Sequence, residues 1–328
     1  MRAVVITRPG GPEVLAIEDR PRPVPAAGEI LVRVRASALN RADLLQREGN
    51  YPPPPGAPDI PGLEFAGEVA AVGARVTRWR EGDRVFGLVA GGAHAEYLVT
   101  DAGCVAPVPD ALSWTDAGCI PEAFITAHDA LVTQAGLRAN EFVLVHAVGS
   151  GVGLAAVQIA RAWGATPFGT ARSPEKIERA RTLGMADGVV VAGDPGVIVD
   201  ATQRWTGKHG IDVILDLVGG PYVAADIQAA APRGRIMLVG SVAGRSATIP
   251  SGMILGKRLT LRGTVLRGRG VEEKRVVTAA FAAEVVPRLA NGELAATVDS
   301  EFALDDIRAA HERLASNATF GKVALRVE

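Results

Sequence analysis

The run Val143-Leu144-Val145-His146-Ala147-Val148-Gly149-Ser150-Gly151-Val152-Gly153 reads as an apolar strand that enters a glycine-rich turn and leaves it as a helix. The helix pattern continues to Trp163, with Ala155, Ala156, Ile159, Ala160 and Trp163 on one broad face. Beyond it the sequence predicts strands at 166–170, 189–191, 212–217 and 235–240, alternating with helices at 174–183, 197–206 and 222–231. Strand alternating with helix implies a parallel sheet with helices on both faces.

That context gives the glycines a purpose. Gly151 and Gly153 would let the backbone approach a pyrophosphate, and the helix start supplies free N–H groups and the positive end of its dipole. Gly149, Ser150 and Val152 complete the loop. The spacing is not a clean GxGxxG, and a tight turn before a buried helix would look similar; the βαβ setting favours the ligand. An NAD site usually places an acid about 20 residues on, at the tip of the second strand. Here the tip reads Ala171-Arg172-Ser173-Pro174-Glu175-Lys176. Arg172, Ser173 and Lys176 could hold a 2′-phosphate by charge-assisted hydrogen bonds, although a solvated helix start would carry the same charges. Gly219, Gly220, Gly240 and Ser241 follow later strands, at the carboxyl ends where such sheets bind ligands.

On either side of this block the pattern changes. Residues 1–122 are β-rich, with short runs at 31–35, 65–72, 84–88 and 95–100 separated by Gly, Pro and Asp. Pro52–Pro55 excludes helix and central strand there. From residue 266 a long helix is predicted over 272–289, then a β run at 297–302, a helix at 305–315 and a strand at 322–327.

Several motifs recur in family order. They are Ala36-Ser37-Ala38-Leu39-Asn40-Arg41-Ala42-Asp43 with Gly49-Asn50-Tyr51-Pro52-Pro53, then Pro61-Gly62-Leu63-Glu64-Phe65-Ala66-Gly67, Gly82-Asp83-Arg84-Val85, Ile120-Pro121-Glu122-Ala123 with Thr126-Ala127, the glycine loop, and Phe320-Gly321-Lys322. Together they resemble the quinone oxidoreductase (zeta-crystallin-like) branch of the medium-chain dehydrogenase/reductase superfamily, over nearly the whole chain. The resemblance implies an α/β protein: a Rossmann doubly wound sheet at 123–265 and a GroES-like β-rich catalytic domain from 1–122 and 266–328. It implies NADPH in the cleft of such a fold, and a homodimer joined at the nucleotide-domain sheet edges, with 259–265 as the pairing strand.

Zinc-dependent members carry Cys where Asn40 stands and His where Leu63 stands, and some carry Glu where Pro121 stands. Amide, Leu and Pro do not make a tetrahedral zinc site, so a zinc-independent reaction is expected. Quinones and activated alkenes carry their own electron sink, which suits that chemistry. Tyr51, held by the stiff proline loop, is the expected catalytic donor to a carbonyl oxygen, with packing on the prolines as the alternative. Asn40 is the second catalytic candidate, able to orient nicotinamide, substrate or water, or to serve a turn.

By resemblance, Thr126 lies near the nicotinamide, unless it caps a helix, and Ser150 contacts the cofactor, unless it is a small turn residue. Leu266 and Phe320 belong to segments beside the cofactor. Lys322 reaches a phosphate, unless it is a surface lysine. Two positions depart from close relatives: Leu45 stands for a second tyrosine, and Val191 for a tyrosine against the 2′-phosphate.

Bulk properties narrow the class further. A net charge of -1 supplies no basic field for nucleic acid or an anionic membrane. No apolar run of about 18 residues suggests a span. Cys104 and Cys119, the only cysteines, form no CxxC pair and read as buried fillers, which suits a cytoplasmic setting. The readings left are an NADPH:quinone reductase, an NADPH-dependent enoyl or alkenal reductase, and, remotely, a non-enzymatic NADPH- or RNA-binding protein.

Overall fold

The computed structural model describes residues 1–327, which divide into two compact units: Met1–Ile125 together with the chain from Leu266 onward, and Thr126–Val265. The first crossing falls between Ile125 and Thr126, within the Pro121–His128 helix.

In the second unit we number the elements β1 (Phe142–Val145), α1 (Gly151–Ala162), β2 (Thr166–Ala171), α2 (Pro174–Arg181), β3 (Asp187–Val190), α3 (Val197–Trp205), β4 (Ile211–Asp216), α4 (Tyr222–Ala229), β5 (Ala230–Leu238), α5 (Ser251–Lys257) and β6 (Thr260–Gly263). All strand pairs are parallel, in the order β3-β2-β1-β4-β5-β6. This is the doubly wound order whose strand sequence reverses beside β1, the point at which such sheets receive ligands. Leu144, Phe168, Ile198, Ile214, Ile227 and Ile236 fill the core. The apolar runs of β1 and β4 are buried because helices cover both faces.

The other unit carries a seven-stranded sheet ordered Val298–Ala303, Lys322–Arg326, Glu29–Leu39, Glu64–Val72, Arg84–Leu88 and Val105–Pro107, with Tyr97–Asp101 also pairing onto Glu29–Leu39. The late strand Lys322–Arg326 therefore lies beside one made early in the chain. Its register is antiparallel, Val323 opposite Leu39, while Phe65 lies opposite Ser37 on the other flank. These pairings bring Asn40, Glu64 and Lys322 to one end of three adjacent strands.

Three local features differ from the sequence expectation. The long helix expected over 272–289 is two, Val271–Glu284 and Val286–Ala290, because Pro287 has no N–H to carry the ladder across Val285. A hairpin of Arg2–Ile6 and Leu15–Asp19 and a helix at Arg41–Arg47 were not foreseen. Among the described residues no helix is long and apolar enough to cross a membrane.

Candidate functional site

In the nucleotide-type unit the predicted residues gather on loops at the carboxyl ends of the strands. Ser150 caps α1, its Oγ accepting from the Gly153 N–H at 3.1 Å. A Cβ on Gly153 would lie 2.7 Å from the Ala147 carbonyl oxygen, so only glycine lets α1 start this close to the strand exit. At Gly149 the added atom would meet Lys176 Cδ at 2.8 Å: the lysine stem crosses the glycine loop from the first turn of α2. Arg172 is exposed at the tip of β2, and Ser173 precedes α2 without spending its hydroxyl on a cap.

After β4, Asp216 Oδ1 accepts from the Val218 and Gly219 N–H groups at 2.7 and 2.8 Å. Gly219 is left-handed, with φ +69°, and an added Cβ would lie 2.7 Å from Gly240 O and 2.9 Å from Ser241 Cα. The structure thus brings Gly219, Gly240 and Ser241 together.

Thr126 sits near the end of its helix and caps nothing; its buried Oγ1 has no hydrogen-bond partner among the described residues. An unmade hydrogen bond at a buried hydroxyl is costly, and a polar ligand would relieve it. Orphaned hydroxyl, glycine contacts and basic strand tip together fit a dinucleotide.

Beneath these loops lies a buried trio. His146 Nε2 is 2.6 Å from Asp226 Oδ1 and Nδ1 is 3.0 Å from Thr170 Oγ1, with the Tyr222 ring edge-on at 5.0 Å. Burial pushes the Asp226 carboxyl up to about 6 against the pull of His146. Burial alone would lower the imidazole, but Asp226 outweighs it and the net shift is upward. Among the described residues, His146, Asp216 and Asp226 are the only acid, thiol or imidazole groups close enough together to hold a metal ion. The short His146–Asp226 contact already uses the ligand atoms on each other. The trio braces β1, β2, β4 and α4 under the glycine loop.

The catalytic-type unit holds Tyr51, Asn40, Leu266, Phe320 and Lys322. Lys322 corrects the expectation of a phosphate contact or a surface lysine. Its ammonium is buried and engaged by Glu64 Oε1 at 2.6 Å, Asn40 Oδ1 at 2.6 Å and the Leu39 carbonyl at 3.0 Å. Those three acceptors use its three protons. Burial disfavours the charge, but Glu64 outweighs burial and the ammonium is shifted up.

Asn40 is also corrected. Its Nδ2 donates to Glu64 Oε1 at 2.9 Å and its N–H to Asp43 Oδ2 at 2.7 Å, so it starts the Arg41–Arg47 helix and orients Lys322 and Glu64. Lys322 holds its carbonyl oxygen and Glu64 one amide proton, and the other amide proton faces the Ala38 carbonyl at 3.4 Å. An ammonium ion in contact with the residue at this position, with a buried Leu63 preceding Glu64, does not fit a zinc ion.

The second oxygen of Glu64 accepts from the Glu122 N–H at 2.8 Å, capping the Pro121–His128 helix. Glu122 is only partly buried. Desolvation first, and then the Glu64 carboxylate, push its carboxyl up to about 8. Tyr51 is half-buried, and the Arg267 guanidinium lies over its ring at 4.9 Å. Arg267 also donates to the carbonyls of Ala90 and Tyr51, at 2.8 and 3.2 Å, and to Gln46 Oε1 at 2.5 Å. Burial raises the phenol, with Arg267 opposing and Glu122 adding to the shift. Leu266 and Phe320 are buried, and the Phe320 N–H donates to Asp299 Oδ1 at 2.9 Å. Cys104 and Cys119 are buried thiols, the first pushed up to about 11 and the second pushed up further, chiefly by desolvation.

The sequence alone does not single out Glu64 and Glu122 as site residues. The signal for the two acids was present: each adjoins a position, Leu63 or Pro121, where metal-dependent members carry a ligand.

Comparison with known proteins agrees with this architecture. A family model described as "Alcohol dehydrogenase GroES-like domain" matches residues 26–110, and one described as "Zinc-binding dehydrogenase" matches 151–282. "Quinone oxidoreductase" of Lama guanicoe is 33% identical over 329 residues, covering 99% of this chain and 97% of that protein. The Escherichia coli quinone oxidoreductase complexed with NADPH superposes with a TM-score of 0.88 at 29% identity, covering 99% of this chain and all of that one. The CurK enoyl reductase structure gives a TM-score of 0.88 at 27% identity, covering 100% and 99% of the two chains. With the doubly wound unit, the GroES-like unit and full-length relatives in agreement, this chain belongs to the medium-chain dehydrogenase/reductase superfamily, in its quinone-oxidoreductase-like branch, and is an oxidoreductase.

Proposed function

We propose that this chain is an NADPH-dependent reductase of quinones. The observation that carries the cofactor choice is the tip of β2, which offers Arg172 and Ser173 with Lys176 in the next turn, the nearest acid, Glu175, lying inside α2 opposite Arg179, and the Lys176 stem laid across Gly149. A 2′-phosphate supplies the negative charge this group lacks, and an acid at the tip would repel it. Similarity to the E. coli enzyme in its NADPH complex supports the same choice.

Bound in this way, NADPH supplies hydride from its nicotinamide ring. Thr126 offers its unused hydroxyl to the ring end of the cofactor, and Gly219, Gly240 and Ser241 give its backbone room to approach. Tyr51 remains protonated at neutral pH, because burial raises it further, and donates to the oxygen on which charge develops. Arg267 fixes the tyrosine loop from beneath. Glu64, Lys322 and Asn40 supply a fixed ionic floor.

A second reading, reduction of an enoyl or alkenal double bond, draws on the likeness to the CurK enoyl reductase. The β6 edge, with no strand partner on its outer side among the described residues, supports a homodimer joined there.

The test is a titration of NADPH against NADH on the wild type, Arg172→Ala and Lys176→Ala, followed by turnover of a 1,4-quinone, a 2-alkenal and crotonyl-CoA. We expect each substitution to weaken NADPH binding on the order of tenfold, as for loss of a charge-assisted hydrogen bond, and to leave NADH binding unchanged. Equal affinity for the two cofactors, indifferent to both substitutions, would remove the NADPH assignment. Faster turnover of the alkenal or the CoA ester than of the quinone would favour the second reading.

A further inference from the structure

We propose that Arg267 is a positioning residue for the reduction: it holds Tyr51 in place and strengthens the phenol as a donor to the oxygen on which charge collects. This rests on the reductase reading above, in which Tyr51 meets that oxygen.

Arg267 is buried, at 6% exposure, and its hydrogen bonds go to the carbonyls of Ala90 and Tyr51 and to the side-chain oxygen of Gln46. All three acceptors are neutral. A charge that has left water is ordinarily paired, as Lys322 is with Glu64 in the same unit. The contacts of Arg267 include no carboxylate; the acids that act on it, Asp43 and Glu122, do so through space. An uncancelled positive charge therefore lies against the face of the Tyr51 ring, 4.9 Å from its centre.

The surroundings hold this arrangement rigid. The Tyr51 backbone is fixed on both sides, its N–H donating to the Leu45 carbonyl at 3.2 Å and its carbonyl accepting from Arg267 at 3.2 Å. Gln46, in the last turn of the Arg41–Arg47 helix, is held from behind by donating to the Asp59 carbonyl at 3.1 Å. The carbonyl of Arg267 itself accepts from Lys274 Nζ at 3.1 Å. One guanidinium thus gathers a helix end, the proline loop and the loop at Ala90 around the tyrosine. Arginine suits the place because its plane lies on the ring while its edge reaches three acceptors; an ammonium keeps the charge but has neither the plane nor the spread of donors.

The electrical consequence follows. As hydride adds, negative charge grows on the substrate oxygen, and the hydrogen bond from the phenol strengthens with it. The cation behind the ring is already in position and need not reorganise, which is the condition for effective electrostatic stabilisation. The phenol keeps its proton throughout. Burial tightens its hold on that proton, Arg267 loosens it, and Glu122 tightens it again.

The test is a double-mutant cycle joined to a spectroscopic titration. At saturating NADPH and 1,4-quinone, Arg267→Lys should lower kcat by about tenfold and leave the KM for NADPH within about twofold; Tyr51→Phe, which loses the donor itself, should lower kcat by about 100-fold. The double variant should be no slower than Tyr51→Phe, because Arg267 acts through the phenol. A substitution that merely loosened the fold would slow both backgrounds alike. The chain has three tyrosines, Tyr51, Tyr97 and Tyr222, so the ultraviolet tyrosinate step missing from Tyr51→Phe belongs to Tyr51. In cofactor-free Arg267→Gln that step should move to higher pH by about one unit. If the Gln variant does not fold, the cycle with Arg267→Lys decides alone. Losses that multiply in the double variant, or a Tyr51 step unmoved in a folded Arg267→Gln, would overturn the proposal and leave the reductase reading standing. A wild type that reduces neither quinone nor alkenal, or a Tyr51→Phe variant as fast as wild type, would instead remove the reading, and the proposal with it.

Discussion

At Lys322 an ammonium ion and the Glu64 carboxylate face each other in the interior of the sheet. Each has left water at a large cost that the other, with the hydrogen bonds around the pair, offsets. Lys322→Met therefore strands the Glu64 charge and should destabilise the protein by about 3–5 kcal/mol in urea unfolding. Adding Glu64→Gln to that variant should recover much of the loss, because a neutral amide next to Met no longer needs a counter-ion. If the single variant were as stable as wild type, the pair would not be holding this end of the sheet. Lys322 shows what a residue can hide in a linear sequence: nothing in Phe320-Gly321-Lys322 tells that the side chain turns inward. Its burial depends on the pairing of Val323 with Leu39, a contact between chain segments far apart in order.

The helix α1 shows how a short element carries a strict requirement. Ser150 closes its N-terminus and Gly153 lets it approach Ala147 and Val148. Ser150→Ala should cost about 1 kcal/mol, the usual value of a lost cap. Gly153→Ala should cost more, since the new methyl meets backbone oxygens that have no room to move, and it should weaken NADPH binding as α1 is pushed off the strand exit. Thermal unfolding and cofactor titration of the two variants would check the ranking; a Gly153→Ala protein that binds normally would contradict it. At this scale the sequence was readable. The period of the apolar residues located β1 to β5 and the helices between them, because the central strands β1 and β4 are covered on both faces and each helix shows one face to the core. The Arg41–Arg47 helix escaped notice because its apolar residues are few, and the break at Val285 because Pro287 was passed over inside an apolar pattern. The roles of Asn40 and Glu122 depend on sheet register, which one sequence does not display.

For the molecule as a whole, two groups with displaced titrations set opposing slopes of stability with pH. Glu122 binds its proton more tightly when folded, at about 8, than the ordinary 4.5, so its contribution is full below about pH 4.5 and is lost as pH rises to 8. His311 is held neutral, pushed down to about 3 by burial, and then by His94 and Arg47; its contribution is full above about pH 6.5 and is lost as pH falls toward 3. The melting temperature of Glu122→Gln relative to wild type should therefore climb between pH 5 and 8 and level off above. A constant difference across that range would show that Glu122 titrates alike in both states.

The same sheet has a consequence for biogenesis. Its strand Lys322–Arg326 is made long after its neighbour Glu29–Leu39. At ordinary ribosomal speeds the early strand waits on the order of tens of seconds with one edge unsatisfied and Glu64 lacking its counter-ion. During that delay the nascent polypeptide is a natural client for chaperones, and messages cut short before the lysine codon should yield insoluble product even though the entire nucleotide half has been translated.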